Sequence, residues 1–470
     1  AFQAFGGTAR RLEKIGIAQN IEIYDDYGHH PTEIKVTLKA LRDRVYERRL
    51  VVLFQPHRYS RVSDLCDEFA TSFEDADLVL MTDIYAAGER KIECNLYAKL
   101  KEQLGARLQF FKRGELLSGA LSLLQVGDAA LTLGAGDITQ VGRELLREIP
   151  QKIKKLKVTL LFGGTSPEHE VSVLSAGNVE KALDLSLYDI EKFKVEKDGT
   201  WLSPEVFSSL RGSDVCIPMF HGAQGEDGMI QGFLETLSLA YVGCDYQSSA
   251  ICMQKAWTKH IALMNGIPTA PYYEWSSLRH REAREELEKH IPPYPVWVKP
   301  VHLGSSIGVR KVGNREELEE ALELAFQLDD VVIVEQHVEG RQIEFALLGN
   351  DVIRMGEPGE ILNDGEFYTY DQKYGPQASP IQTPADLTEI EAEIGQELAK
   401  RIYHACGCKG LCRADFFLDQ NGHYWLNELN PMPGFTSKSA YPKMWMAAGW
   451  TWEKLFNELI ILALHRHRSL

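Results

Sequence analysis

The sequence contains no run of apolar residues approaching the roughly 20 that a membrane-spanning helix requires, and no signal-like segment precedes its first domain. Membrane insertion is therefore not expected. Positive charge is scarce: 51 lysines and arginines stand against 67 aspartates and glutamates, a net charge of -16, which argues against nucleic acid or any partner held mainly through phosphate-backbone electrostatics. A small charged substrate in a locally basic pocket is still compatible with that balance. Eight cysteines in 470 residues are too few and too irregularly spaced to staple a disulfide scaffold, so a reducing cytoplasm is the expected compartment. The densest group, CGCKGLC from Cys406 to Cys412, lacks the CxxC pair or neighbouring histidine that would complete a four-ligand zinc site. The phosphate-loop pattern GxxxxGK[ST] is absent as well.

What is present is enough chain, 44% hydrophobic, for roughly two to four domains. It opens on AFQAFGGTARRLEKIG without an initiator methionine, as if in mid-domain, and is expected to be a piece of something longer. From Arg49 short apolar strands (RLVVLF, DLVLMTDIY, AALTL) alternate with amphipathic helices, which predicts a Rossmann-like α/β domain with a parallel sheet covered on both faces. The GAGD turn, Gly134 to Asp137, is either a phosphate cradle or a plain tight turn between strand and helix. In EIPQKIKKLK the proline is expected to end a helix, and a fresh strand starts at VTLLFGG. The division predicted is residues 1–150, a linker at 151–157, a second α/β domain at 158–254 and a third part at 255–470.

The most informative stretch is RADFFLDQNGHYWLNELNPMPG, Arg413 to Gly434. Asn421-Gly422 between alternating residues signals a two-residue hairpin loop, with positive φ at both positions. Counting outward from it pairs Asp415 with Glu428 and Arg413 with Asn430, all on one face of a sheet. Directly opposed carboxylates destabilise a strand pair unless a positive charge lies between them. A divalent cation would supply it, with an incomplete oxygen shell leaving room for water and phosphate, as Mg²⁺ prefers. A solvated face that tolerates the repulsion is the other reading. Upstream, PVWVKPVHLGSSIGV puts Lys299 at the end of a buried strand, ahead of a Gly/Ser loop able to lay N–H groups and hydroxyls over phosphates. VIVEQHVEG ends a strand with Glu335, placed either to read an adenine amino group or simply to finish a strand.

FGGTSPEHEVS, FHGAQGEDG, the lysine strand with its GSSIG loop, DQKYG and RADFFLD…NELNPMPGFTSKS, in this order, resemble the D-alanine–D-alanine ligases of the ATP-grasp superfamily, over Lys157 to Leu470. The resemblance implies a pre-ATP-grasp α/β domain followed by ATP-grasp α+β subdomains. It also implies a ligation of two D-alanines in which ATP activates the first as an acyl phosphate, for peptidoglycan synthesis. By similarity Asp415, Glu428 and Asn430 hold two Mg²⁺ ions, with Mn²⁺ as a substitute. Lys255, Lys299 and Lys373 contact the nucleotide phosphates under the Ser306 side of the loop, and Glu335 and Val338 flank the adenine. Arg413 and the Gly434 N–H stabilise the developing oxyanion, Glu168 binds the first substrate's ammonium, and Ser439 receives the second substrate's carboxylate beside His221. Glu168, Ser305 and Tyr374 resemble the hydrogen-bonded set that fastens a loop over the site. A homodimer is a family-level expectation.

Two departures from the family pattern stand out. In EGRQIEF, Gln342 replaces the usual ribose-contacting glutamate, and Glu344 shares its face as a possible compensation. NPMPG carries Pro431 where threonine is commoner. Tyr374 stands where depsipeptide-forming relatives carry histidine, which favours D-alanine over D-lactate as second substrate. The other reading of the ATP-grasp part is a ligase for a different carboxylate and amine.

A separate resemblance covers Ala1 to about Pro150. GGTARRLEKIG, DDYGHHPTE, LFQPHRYSR, DIYAAGE and LGAGD are similar, in order, to the C-terminal domain of UDP-N-acetylmuramate–L-alanine ligase. Asp26, His29, His30, His57, Arg58 and Arg61 would then close over ATP and L-alanine, with the two arginines as carboxylate or phosphate forks. In that family the phosphate loop and the UDP-sugar site belong to other domains, so the segment is expected to be inactive without them. A zinc site at the histidine pair, a plain hydrogen-bonded loop, and a domain kept only as a scaffold are the remaining readings.

Overall fold

Alternate residues of the strand Leu50–Phe54 feed two different cores. Val52 and Phe54 pack with Tyr24, Val79 and Leu131, while Val51 and Leu53 pack with Ile23, Leu80 and Ala130. A strand buried on both sides has to be apolar throughout, which is why it reads as a continuous run. The computed structural model describes residues 10–200, 203–276, 289–362 and 380–469. The chain divides into two units, one of residues 1–156 with 186–189 and the other of residues 157–185 and 190–470.

In the first unit the strands are β1 (Glu13–Ala18), β2 (Ile21–Asp26), β3 (Leu50–Phe54), β4 (Leu78–Met81), β5 (Leu108–Phe110) and β6 (Ala129–Leu133), in sheet order β1-β2-β6-β3-β4-β5. All neighbours are parallel except β1, which pairs antiparallel with β2. That first hairpin was not anticipated from the sequence. Its loop is Gln19-Asn20, at φ 48 and 56, the two positive values that a two-residue primed turn requires. The helix α1 (Pro31–Val45) follows β2, and α2 (Thr139–Lys152) follows β6. α2 corrects one expectation, because Pro150 lies inside it. A proline in the last turn forfeits only its own donor, and Ile153 N–H still reaches Ile149 O at 2.9 Å.

The second unit begins with β7 (Leu156–Gly163), β8 (Tyr188–Val195), β9 (Val215–Met219) and β10 (Ala240–Tyr241), in order β10-β9-β7-β8, with α3 (His169–Ala182) after β7. β7, β9 and β10 run parallel. Two helices, α4 (Tyr246–Met253) and α5 (Lys255–Met264), lead into an antiparallel sheet of β11 (Tyr272–Ser276), β12 (Val296–Pro300), β13 (Arg310–Val312) and β14 (Val331–Gln336), ordered β11-β14-β12-β13. A further antiparallel sheet runs β18-β17-β15-β19-β20. Its members are β15 (Gly340–Gly349), β17 (Gly359–Ile361), β18 (Ile381–Gln382), β19 (Gly410–Asp419) and β20 (Tyr424–Asn430), with β16 (Arg354–Met355) beside β15. Its inner face packs Phe345, Phe416, Leu418, Tyr424 and Leu426 under Leu398, Ile402 and Tyr403 of the helix Glu389–Ala405. Its other face carries the polar residues considered next. Among the described residues no helix is long and apolar enough to cross a membrane.

Candidate active site

The β19–β20 pair sets Asp415 opposite Glu428 and Arg413 opposite Asn430, the pairing expected from the sequence, but by a different route. The loop is one residue longer than expected. Asp419 N–H reaches His423 O and Gly422 N–H reaches Asp419 O, both at 3.0 Å, and of the two predicted positive-φ positions only Gly422 (φ 79) has one. This is a three-residue turn closed by a glycine in the left-handed region. The register is restored by a bulge: Phe416 pairs with Leu426 and Asp415 with Glu428, which leaves Asn427 as the extra residue. The bulge also frees Asn427 to meet a lysine, as described below.

On this face Arg413 supplies positive charge. Its Nε and Nη2 fork onto the two Asp415 oxygens, each at 2.7 Å, and Nε lies 3.2 Å from Glu344 Oε2. Asn430 Nδ2 donates to Asp415 Oδ2 at 3.0 Å. Three carboxylates, those of Glu344, Asp415 and Glu428, thus share a face with one guanidinium. Among the described residues no three His, Cys, Asp or Glu side chains are grouped as metal ligands; the donors this face offers a hard divalent cation are the Asp415 and Glu428 carboxylates with the Asn430 amide. Gln342 Nε2 reaches Glu344 Oε1 at 3.4 Å, so the two occupy one face and Glu344 is tied into the Arg413 network.

The basic side is built by α5 and β12. Lys255 begins α5, and its Nζ donates to Val301 O at 3.2 Å and Leu303 O at 2.7 Å, which ties it to the backbone entering the Gly/Ser loop. Lys299 Nζ binds Glu335 Oε1 and donates to Asn427 Oδ1 at 3.2 Å. Glu335 is 2% exposed and Lys259 Nζ stands 3.1 Å from its other oxygen. Burial alone would raise the Glu335 pKa, yet the two ammonium groups bring it down to about 2. Val338 is half-buried in the link between β14 and β15. In the loop itself Ser305 and Ser306 both have positive φ, 50 and 62, a strained pair for non-glycine residues.

The acidic end of the cavity comes from α3. Glu168, immediately before α3, accepts a hydrogen bond from Ser305 Oγ. Gly222 (φ 75) permits the close approach, since a Cβ there would stand 2.7 Å from Glu168 Oε2. His221 is buried, its Nδ1 lying 3.3 Å from Glu226 Oε1 and 3.2 Å from Met432 O, and its Nε2 3.2 Å from Ser175 Oγ. Burial would lower the His221 pKa, but the hydrogen bond and charge of Glu226 override it and raise it. Ser439 precedes the helix Ala440–Ala447, and its Oγ accepts from Thr436 N–H at 3.0 Å. One cavity is lined by Glu168, His221, Lys255, Ser305, Arg413 and Glu428, and continues along Glu344, Asn430, Gly434 and Ser439. Asp415 lies beneath it, fully buried. Lys373 and Tyr374 lie outside the described residues.

Three residues of this region escaped sequence reasoning. Asn427 had a signal: YWLNELN alternates until the doubled polar pair Asn427-Glu428, where the strand skips phase. Glu226 sat in the Gly-rich stretch without a partner in sequence. Lys259 lies one helical turn after Lys255 and resembled a surface lysine.

In the first unit most polar groups of the stretch DDYGHHPTE are engaged in hydrogen bonds within the fold. Asp25 accepts from Thr132 Oγ1 at 2.6 Å, Thr139 Oγ1 at 2.9 Å and Arg10 Nε at 3.1 Å. Asp26 accepts from the N–H groups of Leu12 and Gly28, both at 2.7 Å, and from Thr37 Oγ1 at 3.3 Å. His30 caps α1, its Nδ1 accepting Thr32 N–H while Glu33 answers the His30 N–H. His29 instead faces His57, ring centroids 5.5 Å apart, and His57 stacks on Tyr85. Arg61 Nη1 comes within 3.4 Å of His57 Nδ1, and Arg58 turns the chain at φ 66. Burial and then the neighbouring His29, Arg61 and Arg58 charges hold the His57 pKa below its usual value.

Comparison with known proteins follows these divisions. The family model described as D-ala D-ala ligase C-terminus matches residues 261–461, and D-ala D-ala ligase N-terminus matches 157–212 and 205–244. Mur ligase, glutamate ligase domain, matches 10–136. The chain is 40% identical over 350 residues to the D-alanine–D-alanine ligase of Enterococcus faecalis, covering 67% of this chain and 100% of that protein. It is 37% identical over 496 residues to the bifunctional enzyme MurC/Ddl of Chlamydia trachomatis, covering 99% of this chain and 61% of that protein. It therefore spans 61% of the length of that bifunctional relative. Among solved structures, the D-alanine–D-alanine ligase from Bacillus anthracis complexed with ATP is similar at a TM-score of 0.57 and 26% identity, covering 67% of this chain and 99% of that one.

Proposed function

We infer the activity of a chain that belongs to the D-alanine–D-alanine ligase family: it joins two D-alanines at the expense of ATP, for peptidoglycan synthesis. The observation that carries this reading is Glu428, paired with the buried Asp415, lining together with Asn430 the same cavity as the Glu168–Ser305 contact. The first D-alanine lies with its ammonium at Glu168 and its carboxylate toward the γ-phosphate. Attack on phosphorus gives an acyl phosphate and ADP. The amine of the second D-alanine then adds to the acyl carbon, and the tetrahedral intermediate expels phosphate.

Arg413 and the Gly434 N–H are assigned to the oxyanion of that intermediate, both lining the cavity. Lys255, Lys299 and Lys373 neutralise the phosphates, with Ser306 in the covering loop, and Glu335 and Val338 border the adenine. Gln342 and Glu344 lie on the ribose side, and Ser439 with His221 takes the second substrate's carboxylate. Asp415, Glu428 and Asn430 would hold two Mg²⁺ ions, or Mn²⁺ in their place, which when bound draw charge off the transferred phosphoryl group. Ser305 on Glu168 tethers the loop and excludes the water that would hydrolyse the acyl phosphate; Tyr374, outside the described residues, is assigned to the same set by resemblance alone.

For residues 10–136 the reading is one wall of a UDP-N-acetylmuramate–L-alanine ligase site. His29, His57, Arg58 and Arg61 are its substrate-facing groups, and Asp26 and His30 hold the loop that carries His29. The substrates are small molecules and the compartment is the cytoplasm. The deciding experiment is D-alanine-dependent release of phosphate from ATP by the purified chain, with the dipeptide identified as product.

A further inference from the structure

Lys259 is 1% exposed and no step of the reaction above uses it. Its ammonium forms an ion pair with Glu335 Oε2 at 3.1 Å, an oxygen that accepts no hydrogen bond, and donates to Thr269 Oγ1 at 2.8 Å and Leu426 O at 3.3 Å. The last two are themselves joined, Thr269 Oγ1 donating to Leu426 O at 3.0 Å, and Thr269 bridges to Leu426 through the backbone. Lys259 is therefore locked. Lys299, on the other oxygen of the same carboxylate, has a side chain 13% exposed against 2% for Lys259. Its second partner is the neutral amide of Asn427. Two ammonium groups thus share one buried carboxylate, and the Glu428 charge also acts on Lys259.

We propose that Lys259 is a positioning residue that holds Glu335 permanently, so that Lys299 is free to leave it for an entering phosphate. The proposal rests on the reading of this region as the ATP site. Once Lys299 has gone to the nucleotide, Glu335 and Lys259 remain as a neutral buried pair. Without Lys259, Glu335 would be a buried carboxylate with Lys299 as its counter-ion. Separating a buried ion pair leaves an uncompensated charge, which is strongly unfavourable. Lys299 would then be retained, its charge already spent, and ATP would bind weakly. Burial disfavours the Lys259 ammonium and the Glu335 charge restores part of what is lost, so each of the two depends on the other for its ionised state.

The test measures the KM for ATP, the KM for D-alanine and direct ATP binding on the full chain, for Lys259→Met, Glu335→Gln and the double variant. Lys259→Met is expected to raise the KM for ATP by at least about tenfold while leaving that for D-alanine within about twofold. Glu335→Gln removes both the carboxylate that competes for Lys299 and the acceptor placed at the adenine, so it serves as the background against which the double variant is compared. The double variant is expected to return to within about threefold of Glu335→Gln, because no charge remains to trap Lys299. A merely structural lysine predicts no such rescue. An unchanged KM for ATP in Lys259→Met, or a double variant as impaired as the single one, overturns the proposal. If Lys259→Met does not fold, Lys259→Gln takes its place in the same comparison, and the same outcomes decide. Failure of the unaltered chain to bind ATP overturns the ATP-site reading and this proposal with it. Binding by the unaltered chain with the wrong variant pattern overturns only the proposal.

Discussion

Asp415 and Glu428 face each other across two antiparallel strands, and the one-residue bulge at Asn427 keeps them in register after a turn longer than the alternation predicts. Opposed carboxylates cost a strand pair stability; Arg413 offsets part of that cost by pairing with Asp415, and the proposed divalent cation would offset the rest. Glu428→Gln is therefore expected to lower turnover by at least about a hundredfold, the scale of losing an electrostatic group at a transferred phosphoryl. Its melting temperature should change little, because relief of the Asp415 repulsion is set against loss of the Glu428 attraction to Arg413 and Lys259. Steady-state kinetics and a thermal melt of the same preparation check both halves, and near-normal turnover would refute the metal reading.

Ser305 reaches across to Glu168 from a loop whose residues 305 and 306 both have positive φ. Ser305→Ala removes that tether. The expected consequence is a loss of coupling, with phosphate released in excess of dipeptide because water reaches the acyl phosphate. The ratio of phosphate to D-alanyl-D-alanine measures it directly. A ratio that stays at one while both rates fall equally would assign the hydroxyl to binding alone.

Glu335 has its pKa lowered from an ordinary 4.5 to about 2. A carboxylate whose folded value is depressed stabilises the fold fully above its unfolded value and loses that contribution as pH falls toward the folded one. The melting temperature of the unaltered chain is thus expected to exceed that of Glu335→Gln by a constant gap above about pH 5. The gap should close between about pH 4.5 and pH 2, where protonated Glu335 becomes equivalent to glutamine. A gap independent of pH down to about pH 2 would contradict the paired state.

The parallel sheet of the first unit was legible because strands such as Leu50–Phe54 are buried on both faces, leaving an uninterrupted apolar run. The hairpin at Gln19-Asn20 was not. Its loop lacks the Asn-Gly pair that announces a primed turn, and positive φ at Gln19 is imposed by the strands on either side. The reverse happened at Asn421-Gly422, where the dipeptide was present and the turn it advertises did not form. There the extra loop residue and the bulge at Asn427 cancel, so the site pairing came out right through two compensating departures. Lys259 was illegible for a different reason: burial of an ammonium depends on Glu335, Thr269 and Leu426, which are distant in sequence.

The same distinction answers the concentration of acids and histidines in DDYGHHPTE. Asp25, Asp26 and His30 hold the loop and start α1, while His29, itself tied through Nδ1 to Tyr27 O at 3.0 Å, stands beside His57. A dense motif can contain more support than chemistry, and only the hydrogen-bond partners separate the two.

The most direct test of the central claim is a coupled assay in which the purified chain receives ATP, Mg²⁺ and D-alanine, with phosphate and dipeptide both quantified. One phosphate released for each D-alanyl-D-alanine formed, and no release with L-alanine in its place, is the result expected. Absence of D-alanine-dependent phosphate release, or turnover with a different carboxylate and amine in its place, would contradict it.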